Sequence, residues 1–119
     1  MAATLTRERD KIYRLDITGR LSKLEFDAVQ HQLAGEIQAA GHVRLMVVLD
    51  GFEGWEPGAG WSDLNFYIRY GDAVERIAIV GDEAWRSQAL MFAAADLRRG
   101  PVLFFPPGGD RDASLWLAA

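Results

Sequence analysis

The sequence predicts an α/β domain in which a mixed, mostly parallel sheet of about five strands carries helices packed on it. Two patterns predict this class. Short apolar runs alternate with amphipathic stretches along most of the chain, which implies parallel crossovers that place helices on the sheet. Two short strands come first and form a hairpin, so the order of elements is β β α β α β α β α. The 119 residues suit one core, and we expect a single domain over residues 1–119.

The N-terminal hairpin joins predicted strands at Thr4–Arg7 and Lys11–Thr18, with a polar turn at Glu8–Asp10. Apolar and polar residues alternate over Tyr13–Thr18, and this period of two indicates a strand with one face exposed. We therefore expect the hairpin to lie near an edge of the sheet.

The first helix begins after Ser22 and ends at Gly41. Ser22 and Glu25 have the spacing of a capping box, in which the two side chains satisfy free backbone amides. Leu21 and Phe26 occupy the two positions of a hydrophobic staple, and Gly41 supplies the left-handed stop. The apolar stripe of this helix consists of Phe26, Val29, Leu33, Ile37 and Ala40.

The middle of the chain predicts a buried strand, a loop and a second helix. The nearly continuous apolar run Val43–Leu49 suits a central strand covered on both faces. Four glycines and Pro57 interrupt the segment Gly51–Gly60, which we expect to be a loop. The segment Trp61–Tyr70 predicts a helix that packs one stripe on the sheet. That stripe consists of Trp61, Leu64 and Ile68.

The last third of the chain predicts two strands, each followed by a helix. Arg76–Val80 is a short apolar run that predicts a buried strand, and Asp82 can cap the helix predicted at Glu83–Leu97. Val102–Phe105 predicts the last strand and Asp110–Leu117 a short closing helix. The inward face of the third helix consists of Trp85, Ala89, Phe92 and Ala93.

Charge and composition exclude several classes of function. A formal net charge of −4 lacks the basic footprint of a nucleic-acid-binding protein. The absence of cysteine excludes disulfides, thiolate metal sites and a cysteine nucleophile. Met1–Asp10 is too polar for a signal peptide, and no apolar run is long enough to span a bilayer. We therefore expect a cytoplasmic protein that binds no nucleic acid and whose membrane contacts, if any, are peripheral.

The residues suited to chemistry form no catalytic or ligand-holding pattern. The acidic residues between Asp50 and Asp63 supply oxygen ligands, but their spacing matches no calcium-binding loop, and the glycines among them lack the lysine of a phosphate loop. No serine lies in a G-x-S-x-G motif, and His31 and His42 lie at opposite ends of the first helix. We expect no cofactor, no metal site and no catalytic residue. If the protein were an enzyme, Asp50 and Asp82, which lie at strand ends, would be its only candidate catalytic residues.

The most unusual feature of the sequence is the density of aromatic residues between Phe52 and Tyr70. This segment holds six aromatic side chains, whereas the whole chain has six Phe, three Tyr and four Trp. The stripe on the sheet accounts for Trp61, but Phe66 and Tyr70 lie on another face of the predicted helix. Aromatic residues left over from a core form apolar surfaces that bind a partner, a membrane or a small molecule. The candidate ligand-binding residues are Phe52, Trp55, Trp61, Phe66, Tyr67, Tyr70 and Trp85.

Several stretches of the chain resemble the STAS-like (SpoIIAA-like) family. They are ITGRLSKLEFDAV, RLMVVLDGFEGW, the helix from Trp61, ERIAIVGDEAW and the closing LWL, so the resemblance covers nearly the whole chain. It implies the SpoIIAA-like fold, an architecture related to the lipid-carrying CRAL/TRIO domains. The stretch D-G-F-E-G-W with an aromatic helix looks like small bacterial proteins of unassigned function.

The resemblance also implies a regulatory mechanism whose central residue this chain lacks. Anti-sigma factor antagonists of the family present a phosphorylatable serine at the start of the second helix. The corresponding stretch here, Glu56–Ala59, has no hydroxyl group, and Ser62 is only a weak candidate for a phosphoacceptor. The resemblance therefore favours binding without this phosphorylation switch.

The leading hypothesis is a non-catalytic binding domain that receives an apolar small molecule, a lipid or a membrane surface through residues 52–70. This segment would act as a lid on glycine hinges over the sheet or the third helix. The alternative is a protein-interaction module of the anti-sigma factor antagonist type, and an enzyme ranks third. A symmetric homodimer would also bury the aromatic face.

Overall fold

The computed structural model describes residues 2–58 and 65–119, and within these ranges the chain forms five strands and four α-helices. The strands are β1 (Ala3–Arg9), β2 (Ile12–Leu21), β3 (Val43–Trp55), β4 (Val74–Val80) and β5 (Val102–Phe105). The helices are α1 (Lys23–Ala40), α2 (Asn65–Tyr70), α3 (Arg86–Phe92) and α4 (Asp110–Ala118). β1 pairs antiparallel with β2, the other pairs are parallel, and the order is β1-β2-β3-β4-β5. The predicted α/β class, the hairpin and the mixed, mostly parallel sheet are confirmed.

The order of the strands determines which face each helix covers. Neighbours in the sheet are also neighbours in the sequence, so right-handed crossovers place α1, α2 and α3 on one face. Side chains alternate between the two faces along each strand. Leu45 and Ile77 belong to the core beneath these three helices, whereas Met46 and Ala78, one residue further along, belong to a second core beneath α4. The candidate site lies on the face that carries three helices.

The limits of α1 follow the predicted signals. The Ser22 hydroxyl accepts a hydrogen bond from the Glu25 backbone N–H (3.1 Å). The Glu25 carboxylate accepts from the Ser22 hydroxyl (3.2 Å) and from the Ala2 backbone N–H (2.6 Å). Gly41 has a φ of 90° and donates its N–H to the Ile37 carbonyl (2.7 Å). The Ser22 cap and the Gly41 stop are confirmed, and Glu25 also ties the beginning of β1 to α1.

The predicted loop at Gly51–Gly60 is wrong over its first half, because β3 continues to Trp55. Trp55 pairs with Leu21 of β2, and the register between the two strands shifts before this pair. Gly51 and Gly54 have φ values of 66° and 108°, which glycine adopts without strain and which suit bulges in a paired strand. The glycines bend the strand instead of ending it. The aromatic residues at the end of β3 are therefore held by the sheet and not by a loop.

The second helix is described only from Asn65 to Tyr70. The predicted start of the helix at Trp61 lies outside the described residues. The same applies to the predicted core positions of Trp61 and Leu64 and to the weak phosphoacceptor candidate Ser62. These assignments stay predictions.

The predicted core position of Ile68 is wrong, since 76 % of its surface is exposed. Phe66 and Tyr70, predicted on a different face, are half-buried and pack against the core beneath the three helices. Their ring centroids lie 5.3 Å apart, and the Tyr70 hydroxyl accepts a hydrogen bond from the Gln38 amide of α1 (2.9 Å). Two aromatic rings bury more apolar area than one isoleucine, and this difference sets the rotation of α2.

The third helix is shorter than predicted. The Asp82 carboxylate accepts a hydrogen bond from the Ala84 backbone N–H (2.9 Å), so the predicted cap is confirmed. A 3₁₀ turn follows the cap, however, and α3 ends at Phe92 instead of Leu97. Ala94 has a φ of 56°, and the backbone after it closes with hydrogen bonds to the last turn. This left-handed stop usually uses glycine, and no glycine marks it in the sequence.

The closing helix α4 covers the opposite face of the sheet and is held at its C-terminal end. Arg44 of β3 donates to the Leu117 carbonyl (2.6 Å), and Arg76 of β4 donates to the Trp116 carbonyl (2.7 Å). Cations at this end also interact favourably with the helix dipole. Among the described residues, no helix is both long and apolar enough to cross a lipid bilayer.

Candidate functional site

An apolar cavity of about 150 Å³ lies between the sheet and the helices α1, α2 and α3. Its floor consists of aliphatic side chains of β2, β3 and β4, namely Leu15, Ile17, Leu45, Val47, Leu49, Ile77 and Ile79. The helices contribute Phe26, Val29, Leu33, Phe66, Tyr67, Ala89 and Phe92. Alternation along the strands turns every second side chain toward this face, and the cavity forms where helix side chains do not fill the space above them.

Five aromatic rings form one side of the site, which we call the aromatic wall: Phe26, Phe52, Trp55, Trp85 and Phe92. Four of them line the cavity, and Trp85 lies behind Phe52 and Trp55. The centroid distances are 5.0 Å for Phe52–Trp55, 4.9 Å for Phe52–Trp85, 5.1 Å for Trp55–Phe92 and 4.8 Å for Phe26–Phe92. Tilted and edge-to-face pairs of this kind contribute about 0.5–1.5 kcal/mol each beyond area burial. The wall therefore fixes the end of β3 against α1 and α3.

Gly54 allows this wall to form. Its φ of 108° is accessible to glycine, and a Cβ at this position would lie 3.3 Å from the Trp85 ring. Because position 54 has no side chain, the indole of Trp85 packs directly on the strand.

Four of the seven predicted ligand-binding residues line the cavity. Phe52 and Trp55 do so from the end of β3, and Phe66 and Tyr67 do so from α2. The sheet and the helix thus bring together two groups of aromatic residues that the sequence places in one segment.

The other three predicted residues differ in position. Trp85 contacts the lining residues from behind. Tyr70 lies against Phe66 and is hydrogen-bonded to Gln38, outside the lining. Trp61 lies outside the described residues.

Sequence reasoning missed the floor of the cavity and one charged residue. The alternation along β2 predicts that Leu15 and Ile17 face inward, but it cannot distinguish the lining of a cavity from a filled core. Phe26 and Phe92 are likewise predicted only as inward-facing residues. Arg98 carries no signal, because it follows the predicted third helix at a position where a charged residue normally faces solvent.

Arg98 forms a polar part of the lining. Its Nε donates to the Ala93 carbonyl (2.6 Å) and its Nη1 to the Gly71 carbonyl (3.1 Å). Its guanidinium carbon lies 5.3 Å from the centre of the Tyr67 ring. Burial lowers the pKa of Arg98 below its ordinary value, although Tyr67 and Asp72 oppose the shift. No carboxylate of the described residues forms an ion pair with it.

Trp55 brings an unpaired hydrogen-bond donor to the site. Its indole N–H is buried and has no acceptor among the residues that the structure describes. Leaving such a group unsatisfied costs about 1–3 kcal/mol. The Tyr67 hydroxyl, by contrast, donates to the Leu97 carbonyl (2.6 Å).

The described lining of the cavity contains few polar side-chain atoms. Its side-chain polar atoms belong to Gln30, Trp55, Tyr67 and Arg98, with no carboxylate, imidazole or serine hydroxyl among them. The two strand-end aspartates considered above are exposed and lie outside the lining. Within residues 2–58 and 65–119, no group of three or more His, Asp or Glu side chains could hold a metal ion. Such a surface suits an apolar molecule better than a reaction that needs a general acid and base.

Comparisons with known proteins match the chain to a family and to a solved structure. A model of the SpoIIAA-like family matches residues 12–118. The chain is also similar to the crystal structure of an uncharacterized protein from the DUF3478 family with a SpoIIAA-like fold, from Shewanella loihica PV-4. The TM-score is 0.73 and the sequence identity 22 %, and the match covers 98 % of this chain and 92 % of that chain. The predicted SpoIIAA-like fold is confirmed, and at this identity the likeness to the solved structure shows the fold alone. No curated protein matches the chain.

Proposed function

The chain belongs to the SpoIIAA-like family, and we propose that it is a non-catalytic domain that binds an apolar small molecule or a short lipid-like chain in the cavity beneath α1, α2 and α3. The cavity itself is the observation that carries the proposal. Four aromatic residues singled out in the sequence line it, and almost all of the remaining lining is hydrocarbon. Such pockets with a few polar groups are typical of small-molecule sites.

An empty cavity of this size is costly for so small a domain. Native cores hold few voids larger than a water molecule. At about 24 cal/mol per Å³, a closed void of about 150 Å³ destabilises a fold by about 3–4 kcal/mol. This cavity is partly open to solvent, so the figure is an upper limit. Total stabilities are roughly 5–15 kcal/mol, so a loss near this limit is a large fraction of the whole. A ligand that fills the cavity restores the missing contacts.

The volume limits what the cavity can enclose. A dry apolar cavity of about 150 Å³ accepts a molecule of the size of benzene. A single ring or a short alkyl chain therefore fits without a change in the structure. A longer acyl chain would have to extend beyond the cavity.

The direct test measures whether the purified protein binds small apolar probes. We expect toluene to raise the melting temperature, because a ligand that binds only the folded state stabilises it by mass action. Ala89→Leu, which places a larger side chain in the cavity, should abolish this increase, whereas Ala113→Leu, on the buried face of α4 at the other side of the sheet, should retain it. We also expect native mass spectrometry to detect a molecule that co-purifies. If toluene has no effect and no molecule is retained, the proposal is wrong.

One observation favours the alternative of a protein-interaction module of the anti-sigma factor antagonist type. Ile68 of α2 is 76 % exposed and does not line the cavity, so α2 presents an apolar side chain to solvent. Ile68→Lys should abolish capture of a partner protein if this function is correct, and it should leave toluene binding unchanged. If the cavity is the functional site, Ala89→Leu should abolish toluene binding and leave the capture of a partner protein unchanged. Liposome co-sedimentation with the same two variants tests peripheral membrane contact.

A further inference from the structure

We propose that the ligand is a carboxylic acid whose apolar part occupies the cavity and whose carboxylate pairs with Arg98. This inference rests on the proposed function of the cavity and names the class of molecule that it binds.

The environment of Arg98 is unusual for a cation. Arg98 is half-buried, and a charge that is partly removed from water is usually paired, because its desolvation is costly. Arg98 is held by two backbone carbonyls and by the face of the Tyr67 ring, with no ion pair to a carboxylate in the described part of the chain. It is also the one cationic residue in the described lining. Asp72 opposes the lowering of the Arg98 pKa but forms no ion pair with Arg98, so the site can accept a carboxylate as the partner of this cation.

The hydrogen bonds of Arg98 leave donors for such a charge. A guanidinium group has five N–H donors in a planar fork. The bonds to the carbonyls of Ala93 and Gly71 use one donor on Nε and one on Nη1. The remaining donors, on Nη1 and Nη2, have the spacing that a carboxylate accepts with its two oxygens.

The two backbone hydrogen bonds of Arg98 do not by themselves require a charge. Arg98 closes the end of α3 through the Ala93 carbonyl and joins it to Gly71, which follows α2. A glutamine side chain also offers two N–H donors for such bonds, and it carries a much smaller desolvation cost. The dipole of α3 and the Tyr67 ring also favour a cation at this position, and the donors that they leave free can serve an anionic partner in the cavity.

A carboxylate fits this site better than a phosphate group. The other polar groups of the described lining, on Gln30, Trp55 and Tyr67, carry no charge, so one cation would have to balance a phosphate dianion. A carboxylate brings one negative charge and two acceptor oxygens. The unpaired N–H of Trp55 is an independent sign that the ligand carries a hydrogen-bond acceptor.

The test compares two one-ring probes that differ only in their head group, benzoate and benzyl alcohol. Isothermal titration calorimetry at pH 7.5 measures the affinity of the wild type, of Arg98→Gln and of Arg86→Gln for both. Arg86→Gln is the matched control, because Arg86 is an exposed residue of α3 that lies outside the lining. We expect the wild type and the control to bind benzoate at least about tenfold more tightly than benzyl alcohol, as charge-assisted hydrogen bonds imply. In Arg98→Gln, benzoate should lose this advantage while benzyl alcohol binds within about twofold of the wild type.

The outcomes separate this inference from the proposed function. If the wild type binds both probes equally well, the inference is wrong and the proposed function stands. The same holds if Arg98→Gln weakens both probes equally, because Arg98 then only shapes the cavity. If neither probe binds to the wild type, the proposed function fails as well. The ratio of the wild-type affinities for the two probes requires no variant. It therefore shows whether the cavity prefers a carboxylate even if Arg98→Gln does not fold.

Discussion

Replacing Ala89 by leucine fills the cavity with protein atoms and measures the free space next to α3. Ala89 is 6 % exposed and lines the cavity. Ala113 of α4 is 0 % exposed on the opposite face, in the core that contains Met46 and Ala78. The same substitution at the two positions compares a site that has free space with a site that has none.

The expected changes have opposite signs. Leucine adds three carbon atoms to alanine, and their burial contributes about 0.8 kcal/mol each, or about 2.4 kcal/mol. Ordering the longer side chain costs about 0.5–1 kcal/mol, so Ala89→Leu should raise the free energy of unfolding by about 1.5 kcal/mol. Ala113→Leu should lower it by about 1–3 kcal/mol, because extra methylene groups in a filled core displace neighbouring side chains.

Urea unfolding followed by circular dichroism measures both changes, provided that the dependence on urea stays the same in the variants. Any co-purified molecule has to be removed first, since it stabilises the wild type by mass action. If Ala89→Leu loses as much stability as Ala113→Leu, there is no free space next to α3. The reasoning on the cavity would then be refuted.

Three further predictions concern local contacts and are checked by urea unfolding. Gly54→Ala should lower the free energy of unfolding by about 1–3 kcal/mol, because position 54 has a φ of 108° and lies against the Trp85 indole ring. Gly35→Ala is the control, because Gly35 lies in α1 with open space around it, and it should raise the free energy of unfolding by about 0.5–1 kcal/mol. Equal effects of the two substitutions would contradict the reasoning. Ser22→Ala should cost about 1 kcal/mol through loss of the helix cap. Burial and the hydrogen bond to Glu36 (3.0 Å) raise the pKa of Tyr13 above its ordinary value of 10.0. The folded state therefore keeps this proton longer than the unfolded state, and the resulting stability is complete below about pH 10 and lost as the pH rises through the folded pKa. Tyr13→Phe should lose less stability than the wild type between about pH 9 and pH 11.

The fold could be predicted because its signals are local. Ser22 and Gly41 set the limits of α1 through hydrogen bonds to residues within one turn. The alternation along β2 and the apolar run of β3 need no knowledge of the partner strands. Crossover handedness then leaves few ways to connect short strands with helices.

The errors arise where a distant partner decides the local structure. Gly51 and Gly54 interrupt a strand in sequence, but pairing with β2 extends β3 through both of them. Ile68 and the pair Phe66 and Tyr70 offer two apolar faces of one helix, and only the core beneath shows which face is buried. The sequence could predict the aromatic residues of the candidate site, but not the strand residues below them. An inward-facing position on a strand does not reveal whether helix side chains fill the space above it.

The location of the cavity follows in part from the length of α3, one of the helices that cover this face of the sheet. α1, with 18 residues, is about 27 Å long, whereas α3, with seven residues, is about 10 Å long. A short crossover helix buries less of the strands beneath it, and the aromatic wall and Arg98 line the space that it leaves. The early end of α3 has a second effect, because it brings Arg98 back to the Ala93 carbonyl and into the lining. A helix that continued to Leu97, as the sequence predicts, would carry this cation past its last turn. The same backbone feature that opens the cavity therefore also gives it a positive charge, which is why an apolar molecule with a carboxylate is the ligand that we expect.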